Sequence, residues 1–146
     1  MITGFVILLF QNFTLQLSFA YAHDYARTFN LVTPDSVKYE LSVTVPSSLY
    51  DHYRNKPHTV HFAYDWVKFV TPYALKPIAL KLRTVCTSDE SFTNAVLSIV
   101  HQLRYENRSS SYPVETLVDG WGDCDCFSFV AASILMAGGV DVILLH

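Results

Sequence analysis

Cys124 is the residue of this sequence whose local setting most favours covalent chemistry. It follows Gly120 and Gly122, which allow backbone angles that other residues avoid, and Asp123, a good N-cap residue for a helix. In the first turn of such a helix, free N–H groups and the positive end of the helix dipole favour a thiolate. Because the thiolate is the nucleophilic form of cysteine, Cys124 is a candidate nucleophile. The alternative from the residues alone is a small side chain buried where a helix begins.

The spacing of apolar residues predicts the elements that would position Cys124. A helix is expected after Asp123, with Gly138 as its C′ residue and Gly139 as a second residue that can end it. Its apolar side chains recur at helical spacing: Phe127, Val130, Ala131, Ile134 and Leu135. The apolar run at residues 140–145 is expected to form a buried strand. Before the helix, residues 112–122 are expected to form a polar turn that delivers Cys124 to the helix.

Two short motifs in this region resemble a known family. The run Tyr112-Pro113-Val114-Glu115-Thr116-Leu117, followed by Gly122-Asp123-Cys124, resembles the transglutaminase-like domain of the cysteine-protease superfamily, and above all its uncharacterised archaeal and bacterial members. The resemblance covers roughly residues 89–145. It implies an α+β fold with a partial papain-like or transglutaminase-like core, in which a strand follows the nucleophile helix. An N-terminal β-containing extension precedes that core.

The resemblance also implies an activity. Cys124 matches the family's nucleophile, which implies acyl transfer or amide hydrolysis through a thioester on Cys124, with a protein or peptide as substrate. The sequence departs from the family at Cys126, where a second acidic residue is common. The family's catalytic His and Asp lie on strands after the one expected at residues 140–145, so the domain is expected to be truncated before them. The alternative is a non-catalytic binding module or a degenerate remnant of the fold.

Three further residues are candidates to support Cys124: Trp121, Asp123 and His146. Trp121 either packs under the turn or lines an acyl pocket, and Asp123 is expected to be a cap rather than an acid or base. His146 follows the expected strand, but it comes earlier than the family's histidine. The other histidines are scattered along the sequence and are not expected to be catalytic: His23, His52, His58, His61 and His101.

The cysteines give no sign of a metal site or of a disulfide framework. On a helix, Cys124 and Cys126 would point about 200° apart and could not chelate one ion. No further pair of ligands has zinc-site spacing, so no metal or other cofactor is expected. The three cysteines of the chain are too few, and odd in number, for a disulfide framework. A bond between Cys86 and Cys126 stays open for an oxidising compartment.

The composition predicts one domain with a sizeable core, because 51% of the 146 residues are hydrophobic and 16% are charged. The net charge of −3, without a basic cluster, gives no reason to expect a nucleic-acid partner. We divide the sequence into residues 1–22, the β-containing extension at 23–86 and the transglutaminase-like part at 87–146. Residues 1–22 fit a signal or anchor segment and an amphipathic strand equally well. The first alternative implies membrane association and an extracytoplasmic location.

Four elements are predicted in the rest of the chain. Alternation predicts a strand at residues 37–45, ended by Pro46, and residues 59–62 fit a weaker strand. A helix is expected to begin near Pro72 or Pro77 and to run to about residue 85. Residues 89–105 are expected to form a helix with one apolar stripe, and Thr87 and Glu90 have capping-box spacing.

Overall fold

The computed structural model describes residues 23–32 and 38–144. The predictions for residues 1–22 and for His146 lie outside the described residues. Helices and short strands follow one another along the chain, which confirms a mixed fold of the α+β type.

The first two strands form an antiparallel hairpin of β1, Tyr25–Val32, and β2, Lys38–Val45. In its register Phe29 pairs with Leu41, and both side chains are buried. Alternate residues of β2 are buried, as the pattern at residues 37–45 predicted. Pro46 ends this strand and directly precedes the first helix, α1, Ser47–Arg54.

The strand predicted at residues 59–62 is wrong. The backbone N–H groups of His61 and Phe62 donate to the Asp65 carboxylate at 2.7 and 3.1 Å. These bonds open a 3-10 helix, Ala63–Phe69. A side chain that binds nearby backbone donors competes with sheet pairing, so the local turn prevails here.

The two central helices are α2, Pro72–Arg83, and α3, Asp89–His101. Pro72 lies in the first turn of α2, where a missing N–H is tolerated, so the helix predicted near this residue is confirmed. α3 begins where the sequence predicts but ends at His101 rather than at residue 105. Its cap is Ser88 instead of Thr87, because the hydroxyl of Ser88 accepts from the Ser91 N–H at 3.1 Å.

Residues 112–122 are not the single polar turn that the sequence predicts. Most of them form a buried helix, α4, Pro113–Asp119. The Glu115 carboxylate accepts from the Tyr112 backbone N–H at 3.0 Å, so this polar side chain caps its own helix instead of facing solvent. Gly120 ends α4 with a φ of 79°, a left-handed conformation that glycine adopts without strain.

A pair of short parallel strands joins the segment before α4 to the segment between α4 and the Cys124 helix. These strands are β3, Arg104–Tyr105, and β4, Trp121–Gly122. The next helix, α5, Cys124–Ala137, confirms the helix predicted after Asp123. β4 therefore fixes the backbone two and three residues before Cys124.

The C-terminal end of α5 is a Schellman motif. The Gly139 N–H donates to the Met136 carbonyl at 3.1 Å, and the Val140 N–H donates to the Leu135 carbonyl at 3.0 Å. Gly139 is the left-handed residue, with a φ of 84°. The prediction of Gly138 as the C′ residue is therefore wrong by one position.

The strand predicted at residues 140–145 is wrong over its described part. Residues 140–144 have no regular secondary structure. Among the described residues, strands form only the β1–β2 and β3–β4 pairs, and neither pair includes this segment. An apolar run becomes a strand only where a neighbouring strand pairs its backbone groups.

One hydrophobic core joins the hairpin to the helices. The side chains of this core come from all the long elements: Phe29, Leu41, Leu75, Leu82, Phe92, Ile99, Leu117 and Ile134. Within it, α5 packs against α2, α3 and α4. No helix in the described ranges combines the length and the apolarity that a membrane crossing requires.

Candidate functional site

Cys124 occupies the first position of α5, and its side chain is exposed to solvent. Asp123 caps the helix, because its carboxylate accepts from the Cys126 backbone N–H at 3.1 Å. These placements confirm the predicted position of Cys124 and the capping role of Asp123. The alternative of a small buried side chain is wrong for Cys124. Its Sγ donates to Asp125 Oδ1, 3.7 Å away.

The other two thiols are closed to solvent. Cys86 is 5% exposed and Cys126 is 0% exposed, and burial raises the pKa of both thiols. The Cys126 Sγ faces the carbonyl oxygen of Ser109 at 4.0 Å. All three cysteines are free, so no bond joins Cys86 to Cys126. Of the three thiols, Cys124 alone is accessible to a reagent or substrate.

A largely apolar cavity of about 410 Å³ lies beside α5. We name it the α5 cavity, and its lining on that helix consists of Asp125, Ser128, Phe129, Ala131, Ala132 and Leu135. Residues four and seven apart share a helix face, so Cys124 lies on one stripe with Ser128 and Ala131. Cys124 therefore stands at the N-terminal end of the helix face that lines this cavity.

Trp121 lines a second pocket, which shares no lining residue with the α5 cavity. This pocket, the polar cleft, has a volume of about 450 Å³ and the following lining: Arg54, His58, Arg108, Ser109, Ser110, Ser111, Glu115 and Trp121. The guanidinium carbon of Arg108 lies 4.2 Å from the centroid of the Trp121 ring. Trp121 thus packs against Arg108, and in the described part of the chain it makes no hydrogen bond to Cys124.

His58 and Glu115 form a close pair in the polar cleft. The Nε2 of His58 lies 2.7 Å from Glu115 Oε2. Glu115 is 2% exposed, whereas the His58 side chain is half-buried and reaches the cleft. The same carboxylate oxygen accepts from the Tyr112 N–H, so this buried acid has partners from two separate segments.

Asp119 lies beside the polar cleft and pairs with both of its arginines. Its carboxylate accepts from Arg108 Nη2 at 2.7 Å and from the Tyr50 hydroxyl at 2.9 Å, and Arg54 Nη1 lies 3.5 Å away. Burial, followed by the bond to Asp119, raises the pKa of Tyr50 to about 12. The hydroxyl therefore stays protonated and donates to the carboxylate.

The polar cleft contains functional candidates that the sequence alone does not reveal. His58 was grouped with the scattered histidines, yet it is the histidine that pairs with a buried carboxylate. One sequence signal was available, because Glu115 lies among apolar residues and a buried acid requires a partner. That signal does not say which residue the partner is.

Within the described residues, no group of three or more His, Cys, Asp or Glu side chains is placed to hold a metal ion. Comparisons with protein-family models, with curated proteins and with solved structures found no match to this chain.

Proposed function

We propose that this protein performs cysteine-dependent acyl transfer or amide hydrolysis through a thioester on Cys124, as a partial transglutaminase-like domain. The observation that carries the proposal is the exposed Cys124 thiol at the start of a helix whose buried face packs in the core. A carbonyl carbon can approach this sulfur from solvent. The two other thiols are enclosed, so neither can serve as the nucleophile.

In the proposed reaction, the Cys124 thiolate attacks the carbonyl carbon of a carboxamide. The C–N bond breaks, the ammonia or amine leaves with a proton, and the acyl group remains on sulfur as a thioester. Attack by water then releases a carboxylic acid, whereas attack by an amine forms a new amide. Either attack breaks the C–S bond and regenerates the thiol, so the reaction needs no redox partner.

The α5 cavity supports a peptide as the acyl donor. It lies along the helix face that begins with Cys124, and most of its lining is apolar. A side chain next to the scissile amide could enter this space while the carbonyl meets the sulfur. Its volume of about 410 Å³ is within the range of small-molecule sites.

The described residues do not include an identified general base that could deprotonate the Cys124 thiol. Among the described residues, Cys124 Sγ has a hydrogen bond to the Asp125 carboxylate and none to an imidazole. His58 is engaged by Glu115, and His146 remains the candidate from the sequence. The lack of a neighbouring imidazole in the described part favours a second candidate function, a non-catalytic module of the same fold that binds a protein or peptide.

The two candidates differ in the fate of an acyl donor. The protein is incubated with a glutamine-containing peptide, once alone to measure the intact mass of the protein and once with hydroxylamine to measure the hydroxamate product. The enzyme proposal predicts an acyl adduct on Cys124 and hydroxamate formation. Both are lost in Cys124→Ala, whereas Cys86→Ala is the matched control that keeps them.

Other outcomes separate the alternatives. Peptide binding of equal strength by the native protein and Cys124→Ala, with no adduct on either, would support the binding module. Hydroxamate formed by Cys124→Ala at the native rate would rule out Cys124 as the nucleophile.

A further inference from the structure

We propose that the polar cleft is a binding site for a small ligand that carries a carboxylate. This inference is independent of the chemistry proposed at Cys124. It rests on the donors that the cleft directs to solvent, on the burial of its acidic groups and on its charge.

Arg54 is the group most available to such a ligand. Only its Nη1 is engaged, with the Tyr50 hydroxyl at 3.1 Å and with Asp119 and Glu115 at 3.5 and 4.0 Å. The other guanidinium nitrogens form no hydrogen bond with the described part of the chain, and the side chain is 53% exposed. Guanidinium groups bind carboxylates through two parallel N–H donors, and Arg54 keeps donors for this purpose.

Donors of the protein cover the acidic groups in and beside the polar cleft, so these groups do not meet a bound anion directly. Glu115 accepts from Tyr112 and pairs with His58, and it is 2% exposed. Asp119 accepts from Tyr50 and Arg108 and is also mostly buried. The donors that remain open to a ligand are therefore the spare nitrogens of Arg54 and the hydroxyls of Ser109 and Ser110.

The charge of the polar cleft favours a monoanion over a dianion. Arg54 and Arg108 balance Glu115 in the cleft and Asp119 beside it, so the net charge is 0 with a neutral His58 and +1 with a protonated one. A monoanion leaves a charge of −1 or 0, whereas a dianion such as phosphate leaves −2 or −1. Excess like charge in a partly enclosed site is unfavourable, so a carboxylate fits better than a phosphate dianion. The volume of about 450 Å³ admits the rest of a small molecule.

The test uses N-acetylglycine as the carboxylate probe and N-acetylglycinamide as its neutral counterpart, at constant ionic strength. NMR signals of the His58 imidazole and the Trp121 indole report on the cleft directly. We expect a saturable change with the carboxylate and none with the amide. Equal responses to the two compounds, or no saturation by the carboxylate, would overturn the proposal. Tighter binding of inorganic phosphate would overturn the preference for a monoanion.

Variants identify the binding group. Arg54→Gln is expected to weaken N-acetylglycine binding about tenfold, the loss associated with one charged hydrogen bond. Arg54→Lys keeps the positive charge but lacks the two parallel N–H donors of the guanidinium group, so an intermediate loss of affinity is expected. Arg104→Gln is the matched control, because Arg104 is a comparably exposed arginine that pairs with Glu106 outside the cleft. Both Arg54 variants should keep the native circular dichroism spectrum. Unchanged affinity in Arg54→Gln, or an equal loss in Arg104→Gln, would refute the assignment.

Discussion

The three thiols differ in access to solvent more than in any other property. Cys124 is exposed at a helix start, whereas Cys86 and Cys126 are enclosed by the core. Burial opposes the thiolate form of the enclosed pair, so both access and ionisation favour reaction at Cys124. In the folded protein, thiol-directed reagents should therefore react with Cys124 and not with the two enclosed thiols.

Limiting iodoacetamide should alkylate Cys124 at least about a hundredfold faster than the other thiols. Cys86 and Cys126 react only through local opening, and a free energy of opening of roughly 3 kcal/mol or more protects such core positions. Mass spectrometry of the labelled peptides measures the three rates. In urea the rates should converge, which serves as the control. Faster labelling of either buried thiol in the native protein would contradict the prediction.

Tyr50 makes stability depend on pH at the alkaline end. Its pKa is about 12 in the folded protein and about 10 in an unfolded chain. Below pH 10 both states keep the proton, and the full stability is present. Between pH 10 and 12 the unfolded state releases the proton while the folded state holds it, so the free energy of unfolding falls. The loss should reach about 1–3 kcal/mol near pH 12.

Urea denaturation of Tyr50→Phe tests this prediction. Burial also raises the pKa of Tyr112, so the informative quantity is the difference between the native and variant profiles across this pH range. Tyr73→Phe is the matched control, because Tyr73 is exposed on α2. Parallel profiles for the native protein and Tyr50→Phe would show that Tyr50 does not cause the effect.

The sequence could place Cys124 and Asp123 but not the residues of the polar cleft. A helix cap is local, since Asp123 and the N–H it accepts from are three residues apart. His58 and Glu115 are 57 residues apart, and Asp119 is 69 residues from Tyr50. Such pairs come together only through the packing of α1 and the following loop on α4. Local sequence patterns do not predict how these elements pack against one another.

At the scale of the elements, hydrophobic periodicity predicts secondary structure best where one face of the helix or strand is buried. β2 alternates strictly, so its boundaries and its buried face could be predicted. α4 was missed because Glu115 and Thr116 are polar residues, which are mostly exposed in proteins, yet both are buried there. Residues 140–144 have the composition of a strand, but pairing depends on a neighbouring strand that local sequence does not report.

The two glycines after α5 both disfavour a side chain, but for different reasons. A Cβ on Gly138 would lie 2.2 Å from Cζ of the buried Phe92 ring, although the φ of −87° suits alanine. A Cβ on Gly139 meets nothing within 4 Å, but the φ of 84° is strained for any L-residue. We expect Gly138→Ala to lower the free energy of unfolding by about 1–3 kcal/mol, and Gly139→Ala by about 1–2 kcal/mol.

Phe92→Leu separates these two mechanisms when unfolding is measured in urea. The smaller side chain relieves the contact at Gly138, so Gly138→Ala should be less destabilising in the Phe92→Leu background. The effect of Gly139→Ala should be the same in both backgrounds, because it is a backbone effect. Additive effects of Gly138→Ala and Phe92→Leu would mean that the ring does not limit the space at Gly138.

At the scale of the whole molecule, specific bonds as well as the core attach the hairpin to the helices. The side-chain amide of Gln102 donates to the Asn30 carbonyl and accepts from the Asn30 N–H, both at 2.9 Å. It thereby pairs with the edge of β1 as a neighbouring strand would. Arg27 Nη2 donates to the Val118 carbonyl at 3.2 Å. The described residues of 23–86 and of 87–144 thus share a core and are also joined by hydrogen bonds.

This shared core predicts that the chain unfolds in one cooperative step. Trp66 reports on the first of the two segments and Trp121 on the second, so Trp66→Phe and Trp121→Phe each leave one fluorescent probe. If each segment had its own core, the two segments could unfold at different urea concentrations, and the two tryptophans would report different midpoints. Because side chains of both segments bury one another, the fluorescence midpoint of each variant should coincide with its far-ultraviolet circular dichroism midpoint. A fluorescence transition that precedes loss of helix in either variant would show that residues 23–86 and 87–146 are separate units.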